Sequence, residues 1–175
     1  MSRKLSIIVG VSGVGKSSIL SKIEDRNDSP DFSLVNYGDM IMDIYTDMNP
    51  TASRDDLTDM PPSMYDKIQN RVPRRIDRQK EDLVIIDTHT SLDTPVGYRP
   101  GLPKDTTEVL NPDNITLITA GAREVLNRRV SDKSRDRDVD GVDKIREELE
   151  MERLMAATNS VVSGAPLRII QNDDG

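Results

Sequence analysis

Residues 10–18 read Gly10-Val11-Ser12-Gly13-Val14-Gly15-Lys16-Ser17-Ser18 and match G-x-x-x-x-G-K-[ST] at every fixed position. A continuous apolar stretch, Leu5-Ser6-Ile7-Ile8-Val9, enters this run, and a helix-compatible segment, 18–24, leaves it. Strand, glycine-rich loop and helix in that order open a βα unit. The glycines let the backbone curl so that several N–H groups converge on one anion, and the helix N-terminus adds its partial positive charge. In such a loop Lys16 reaches the terminal phosphates of a nucleoside triphosphate and the Ser17 hydroxyl helps hold Mg²⁺. A chance glycine-rich turn carrying a lysine is the poorer account, because strand, loop and helix all agree.

The rest of the chain repeats the alternation. Apolar runs at 5–9, 83–86, 115–118 and 167–170 read as buried parallel strands, with a weaker one at 32–35. Helical patterns fill 16–24, 39–47, 63–80, 122–131 and 142–162, and Pro73 predicts a kink or restart in the third. This predicts an α/β fold of the P-loop NTPase type, a five-stranded parallel sheet with helices on both faces. Three segments break the pattern: 49–62, 88–104 and the charged 131–141. They are expected beside the phosphate loop at the C-terminal edge of the sheet, where open α/β sheets bind ligands.

At 175 residues the chain is most simply one domain. It has no cysteine, which excludes disulfides and Cys-based zinc sites. No apolar run approaches the roughly 20 residues that span a bilayer. The short apolar stretch after Met1-Ser2-Arg3-Lys4 leads straight into the loop, unlike a secretory signal, so the chain reads as cytoplasmic, with no membrane partner. The net charge of −7 argues against a nucleic-acid surface. Yet Arg outnumbers Lys, 16 to 8, and the planar guanidinium suits phosphate. Asp outnumbers Glu, 23 to 8, which fits a saline cytoplasm or ordinary solubility.

Asp87 ends the run Leu83-Val84-Ile85-Ile86. Such an acid either holds Mg²⁺ through water or caps the next turn. His89 is the sole histidine, so a multi-His metal site is excluded, and a structural or ligand-orienting role outweighs a general base. Arg128, Arg129, Arg135 and Arg137 flank or occupy the charged segment and suit the charge on a transferring phosphoryl group. Asp132, Asp136 and Asp138 interleave with them, so a salt-bridged surface is the competing account. Arg71, Arg74, Arg75 and Arg78 read mostly as a solvated helix face, whereas Arg54, in a polar insertion, is placed to reach a second phosphate.

From Lys4 to about Asn172 the chain resembles the archaeal-type adenylate kinases, P-loop nucleoside monophosphate kinases. The resemblance is carried by Val35-Asn36-Tyr37-Gly38-Asp39-Met40, by Arg54-Asp55 with Met60-Pro61-Pro62, and above all by Asp87-Thr88-His89-Thr90 with Thr94-Pro95-Val96-Gly97-Tyr98-Arg99-Pro100-Gly101-Leu102-Pro103. Arg128-Arg129, Arg135 and Arg137-Asp138 resemble that family's short lid, and Ile169-Ile170-Gln171-Asn172 its last strand. The resemblance implies reversible, Mg²⁺-dependent transfer, ATP + AMP to two ADP, by a homotrimer. It implies ATP on residues 10–18, AMP near Tyr37, Gly38, Arg54, Asp87, His89, Gly97 and Tyr98, and Mg²⁺ on Ser17 and, through water, Asp87. Lys16 and the lid arginines 128, 129, 135 and 137 would stabilise the transferring group. One kinase domain would span 1–175, with a core of 1–36, 83–122 and 142–175, an AMP-binding insertion of about 37–80 and a lid of about 128–141. The family continues into a C-terminal helix beyond its last strand, and a sheet face without it would expose apolar area at about 25 cal/mol per Å². Two other readings stay open: a P-loop kinase with another acceptor, and a nucleotide-dependent switch or assembly factor.

Overall fold

The apolar runs become strands and the amphipathic ones helices. The computed structural model describes residues 3–26, 31–53, 56, 60–76, 78–131 and 141–173. Arg54, Asp77, Arg135 and Arg137, together with the rest of 132–140, lie outside them. Strands β1 (Lys4–Val9), β2 (Phe32–Asn36), β3 (Leu83–Thr88), β6 (Asn114–Thr119) and β7 (Leu167–Gln171) form one sheet in the order β2-β3-β1-β6-β7. Every pairing in it is parallel. The chain leaves the central strand β1 toward β2 on one side and later crosses to β6 on the other, which opens a crevice at the strand ends.

Alternation along each strand sends side chains to two cores. Leu5, Ile7, Val9, Val84, Ile86, Ile115 and Leu117 pack on one face, under α2 (Tyr37–Met48), α3 (Pro62–Gln69), α4 (Val72–Ile76) and α5 (Lys104–Leu110). Ile8, Ile85 and Ile118 pack on the other, under α1 (Lys16–Glu24) and α6 (Ala122–Ser131). The long helix α7 (Val142–Ser163) serves both: Ile145 and Leu149 join the second core and Ala156 the first. It therefore passes from one face to the other beside the loops that follow the strands.

Local sequence explains most boundaries. The Asn36 side chain accepts from the Asp39 N–H at 3.0 Å, so α2 starts two residues before the expected 39. The predicted 63–80 helix is two helices; α3 ends at Asn70, and Pro73 sits in the first turn of α4, where a missing N–H costs nothing. Three expectations are corrected. Residues 88–104 are not featureless: Ser91–Leu92 (β4) and Arg99–Pro100 (β5) pair antiparallel. Helix α5 follows, unforeseen because Lys104–Leu110 is short and carries two β-branched threonines. Strand β7 is not buried: Ile169 and Ile170 are 44% and 40% exposed, because β7 takes the sheet edge with only β6 beside it. Among the described residues no helix is long and apolar enough to cross a membrane.

Candidate active site

The phosphate loop turns between β1 and α1 in a backbone that side chains resist. Gly15 caps α1 in the left-handed region at φ 93°, and a Cβ there would also stand 2.5 Å from Asn172 Nδ2. Behind the loop, α6 supplies two arginines. Arg129 Nε donates to Ser12 O at 3.0 Å, and Arg128 Nη1 donates to Val14 O at 3.2 Å. Asn172 Nδ2 donates to the same Val14 carbonyl at 2.8 Å. In a trans peptide the C=O and the following N–H point opposite ways. Anchoring these carbonyls therefore turns the Gly13 and Gly15 N–H groups away from α6. Arg129 is itself held by Glu148 of α7 at 2.6 Å, and Arg128 by Glu124 at 3.1 Å and by the carbonyls of Asn172 and Asp173.

Lys16 is buried; its ammonium donates to Gly10 O and lies 4.0 Å from Asp87 Oδ1. Register places Asp87 beside Ile8 on β1 and Asn36 on β2, at the sheet's C-terminal edge. Among the described residues the buried Asp87 Oδ1 has no hydrogen-bond partner. Burial pushes the carboxyl above its ordinary range, and the Lys16 charge only partly offsets this. A carboxylate oxygen of this kind in a cavity that Ser17 also lines fits a hard divalent cation, which takes oxygen ligands and keeps several waters. Among the described residues no cluster of three acidic, histidine or cysteine side chains could hold a metal by itself.

The phosphate loop forms one wall of a cavity of about 620 Å³, lined on that side by Val11, Ser12, Gly13 and residues 15–18, with Arg128 and Arg129. Asn36, Tyr37, Gly38, Ile41 and Tyr65 also line it. Asp87, Thr88, His89, Leu92, Asp93, Thr94, Arg99 and Gly101 complete it. Tyr37 is buried and its hydroxyl donates to Gln69 Oε1; Gln69 Nε2 reaches Gly101 O at 3.4 Å. Burial pushes the phenols of Tyr37 and Tyr65 up, so both stay neutral donors. Arg99 Nη1 contacts Met60 O at 3.4 Å.

Of the candidate residues, Ser12, Gly13, Gly15, Lys16, Ser17, Ser18, Tyr37, Gly38, Asp87, His89, Arg128 and Arg129 share this cavity, with Val11. Gly10 and Val14 support the loop from the core side, where Gly10 abuts Ile118 and Val14 is fully buried. Gly97 and Tyr98 are not brought to the cavity. Among the described residues, chain neighbours aside, no atom would stand within 4 Å of a Cβ at Gly97, and the Tyr98 hydroxyl meets Lys144 Nζ at 3.2 Å, with that ammonium 5.0 Å from the ring centroid. Arg128 and Arg129 are helical residues bonded to loop carbonyls rather than loop residues. Arg54, Arg135 and Arg137 lie outside the described residues. Sequence reasoning passed over Tyr65 and Arg99 as site residues. The one available signal was the motif context, since Arg99 lies between Tyr98 and Pro100 inside the 94–103 loop.

A parallel sheet with a phosphate loop leaving its central strand and an acid ending the neighbouring strand defines a P-loop nucleotide-binding kinase fold. Residues 9–146 match the AAA domain family. A shikimate kinase structure from Bacteroides thetaiotaomicron shares the fold at a TM-score of 0.59 and 15% identity, over 97% of this chain and 87% of that one. The adenylate kinase of Methanocaldococcus jannaschii is 37% identical over 177 residues, 99% of this chain and 92% of its own. That of Methanothermobacter thermautotrophicus is 35% identical over 170 residues, 97% of this chain and 90% of its own. The chain belongs to the adenylate kinase family and is thus a phosphotransferase with a phosphate group as acceptor.

Proposed function

We propose that this chain moves the γ-phosphoryl group of Mg²⁺-bound ATP onto AMP, reversibly, giving two ADP. The observation that carries this reading is a single cavity of about 620 Å³ whose lining joins the anion-binding loop to the aromatic and polar side chains of Tyr37, Tyr65, His89 and Arg99. ATP lies on residues 10–18 with Lys16 at its terminal phosphates. AMP lies against the helical segment of about 37–80 and the 87–103 loop, with Arg54 and Arg99 available to its phosphate. An AMP phosphate oxygen attacks Pγ in line. The bond from Pγ to the β,γ-bridging oxygen breaks, and the electron pair leaves on the β-phosphate of ADP. The attacking group is already an anion, so no protein nucleophile or base is required. Ser17 and, through water, Asp87 would hold Mg²⁺, which neutralises phosphate charge when bound.

Lys16 stabilises the transferring oxygens by charge. Arg128 and Arg129 hold the loop from behind through its carbonyls and would reach phosphate only by leaving those bonds on closure, together with Arg135 and Arg137 of the 128–141 lid. Closure excludes water that would otherwise consume ATP. Assembly as a cytoplasmic homotrimer rests on resemblance to the archaeal enzymes alone.

The test mixes protein, ATP, Mg²⁺ and AMP, CMP, UMP or GMP, and follows diphosphate formation. ADP forms fastest with AMP. Equal rates with all four acceptors would point to another acceptor. Slow hydrolysis of ATP without any acceptor dependence would favour a nucleotide switch. Lys16→Met, which keeps the side chain's apolar stem, is expected to retain the fold by circular dichroism and to lose at least about 10²-fold in turnover.

A further inference from the structure

The segment 88–92 runs from the end of β3 along the cavity and is gripped by one buried acid. Glu152 of α7 is 1% exposed. Its Oε1 accepts from the Thr90 N–H at 2.8 Å, and its Oε2 accepts from the Ser91 N–H at 2.9 Å and the Ser91 hydroxyl at 2.7 Å. The Thr90 hydroxyl donates to the Glu152 carbonyl at 2.9 Å. Thr90 itself is fully buried. Among the described residues no cation pairs with this carboxylate; two backbone N–H groups and a hydroxyl surround it.

Burying a carboxylate costs several kcal/mol unless donors satisfy it. An apolar residue would fill this position at no such cost if filling were all it did. What the carboxylate does is fix two successive peptide planes. The plane joining His89 to Thr90 has its N–H on Glu152 and its carbonyl against Gly101, where an added Cβ would stand 2.1 Å from His89 O. Gly101 N–H in turn donates to Thr90 O at 2.8 Å. His89 is thus set between a carboxylate on one side and a close backbone approach on the other, and its side chain lines the cavity.

The same helix grips the loop at two more levels. Lys144 Nζ meets Asp93 Oδ2 at 2.9 Å and the Tyr98 hydroxyl at 3.2 Å. Asn159 Nδ2 donates to Leu102 O at 3.2 Å and to Thr107 Oγ1 at 3.1 Å. Between Lys144 and Glu152, one turn from each, Glu148 holds Arg129 and through it the phosphate loop. Lys144, Glu148 and Glu152 are spaced i, i+4, i+8 and share a face.

We propose that Glu152 is a positioning residue for the acceptor nucleotide, fixing the 88–92 peptide planes and hence His89 from α7, while the donor loop is held from the same helix by Glu148. The proposal rests on the AMP reading above. Glu152→Gln keeps the shape but turns one oxygen into a donor facing an N–H or hydroxyl. The expected result is a KM for AMP raised at least fivefold, a KM for ATP within twofold of wild type, and faster amide hydrogen exchange in 88–103 than in 9–18. A carboxylate that only stabilises the fold would lower the melting temperature with both KM values unchanged or equally changed, and with exchange raised uniformly; either result overturns the proposal. If Glu152→Gln does not fold, Glu152→Asp keeps the charge but draws the carboxylate back by one methylene from both amides; KM for AMP should then rise at least threefold with KM for ATP unmoved, and no change in that ratio overturns the proposal. Wild type that makes no ADP from ATP and AMP would refute the acceptor reading, and the exchange pattern would then decide Glu152 by itself.

Discussion

Gly101→Ala probes how tightly the acceptor wall is set. Gly101 is flanked by backbone rather than by side chains: a Cβ there would stand 2.1 Å from His89 O, 3.0 Å from His89 C and 3.3 Å from Thr90 C. The first contact is about 1 Å inside a tolerable separation. The His89–Thr90 plane cannot retreat freely, because Glu152 holds Thr90 N–H from the far side. Overpacking of this kind costs about 1–3 kcal/mol. At roughly 2–4 °C per kcal/mol for a chain of this size, the melting temperature should drop by about 2–12 °C. If the strain is relieved by moving the His89 segment, a shift of about 1 Å in the cavity wall costs on the order of 10²-fold in turnover, or about 2.7 kcal/mol at 1.36 kcal/mol per decade. A coupled ADP assay at saturating ATP with varied AMP measures the loss, and calorimetry measures the stability. Gly121→Ala is the control, since its nearest atom would be Asp173 Oδ1 at an ordinary 3.6 Å; turnover should stay at the wild-type level. Gly101→Ala protein with wild-type melting and turnover within threefold of wild type would refute the reasoning.

Asp87→Asn tests the orphaned carboxylate. The native carboxyl is raised above its ordinary 3.8 by burial, so the native state holds this proton more tightly than the unfolded chain. Its stabilising contribution is full below about 3.8 and is lost as pH rises through the raised native value. Nucleotide-free wild type should therefore lose stability relative to Asp87→Asn across that window and run parallel to it above; melting curves that differ by a constant at every pH would contradict this. Ile145→Ala removes a fully buried anchor of α7 from the second core. It should cost about 2–5 kcal/mol in urea unfolding, and a loss under about 1 kcal/mol would show that α7 is held chiefly by its polar contacts.

The elements that were legible are those whose signal is contiguous. The phosphate loop needs only nine successive residues, and its strand and helix adjoin it. Continuous apolar runs identified all five parallel strands, and α6 and α7 follow the predicted 122–131 and 142–162 to within a residue. Helix α5 and the β4–β5 hairpin escaped because each is too short for periodicity to emerge. The Asp87-Thr88-His89 loop was recognisable as a motif, but not which of its members face the ligand: Arg99 lines the cavity, whereas Tyr98 docks on Lys144.

Sequence by itself made the phosphate loop legible, because such a loop is shaped by residues that are neighbours in the chain. Tertiary structure alone decided which distant residues line the cavity beyond the loop and which strand takes the sheet edge. Glu152 lies in the stretch 142–162, which the sequence shows only as helical, yet it is buried against amides 62 and 61 positions away. Likewise Ile169 and Ile170 read as core and stand half-exposed, because strand order, not local hydrophobicity, put β7 at the margin. Burial belongs to the contacts that long-range pairing makes, and neither composition nor spacing along the chain encodes which distant segment will arrive.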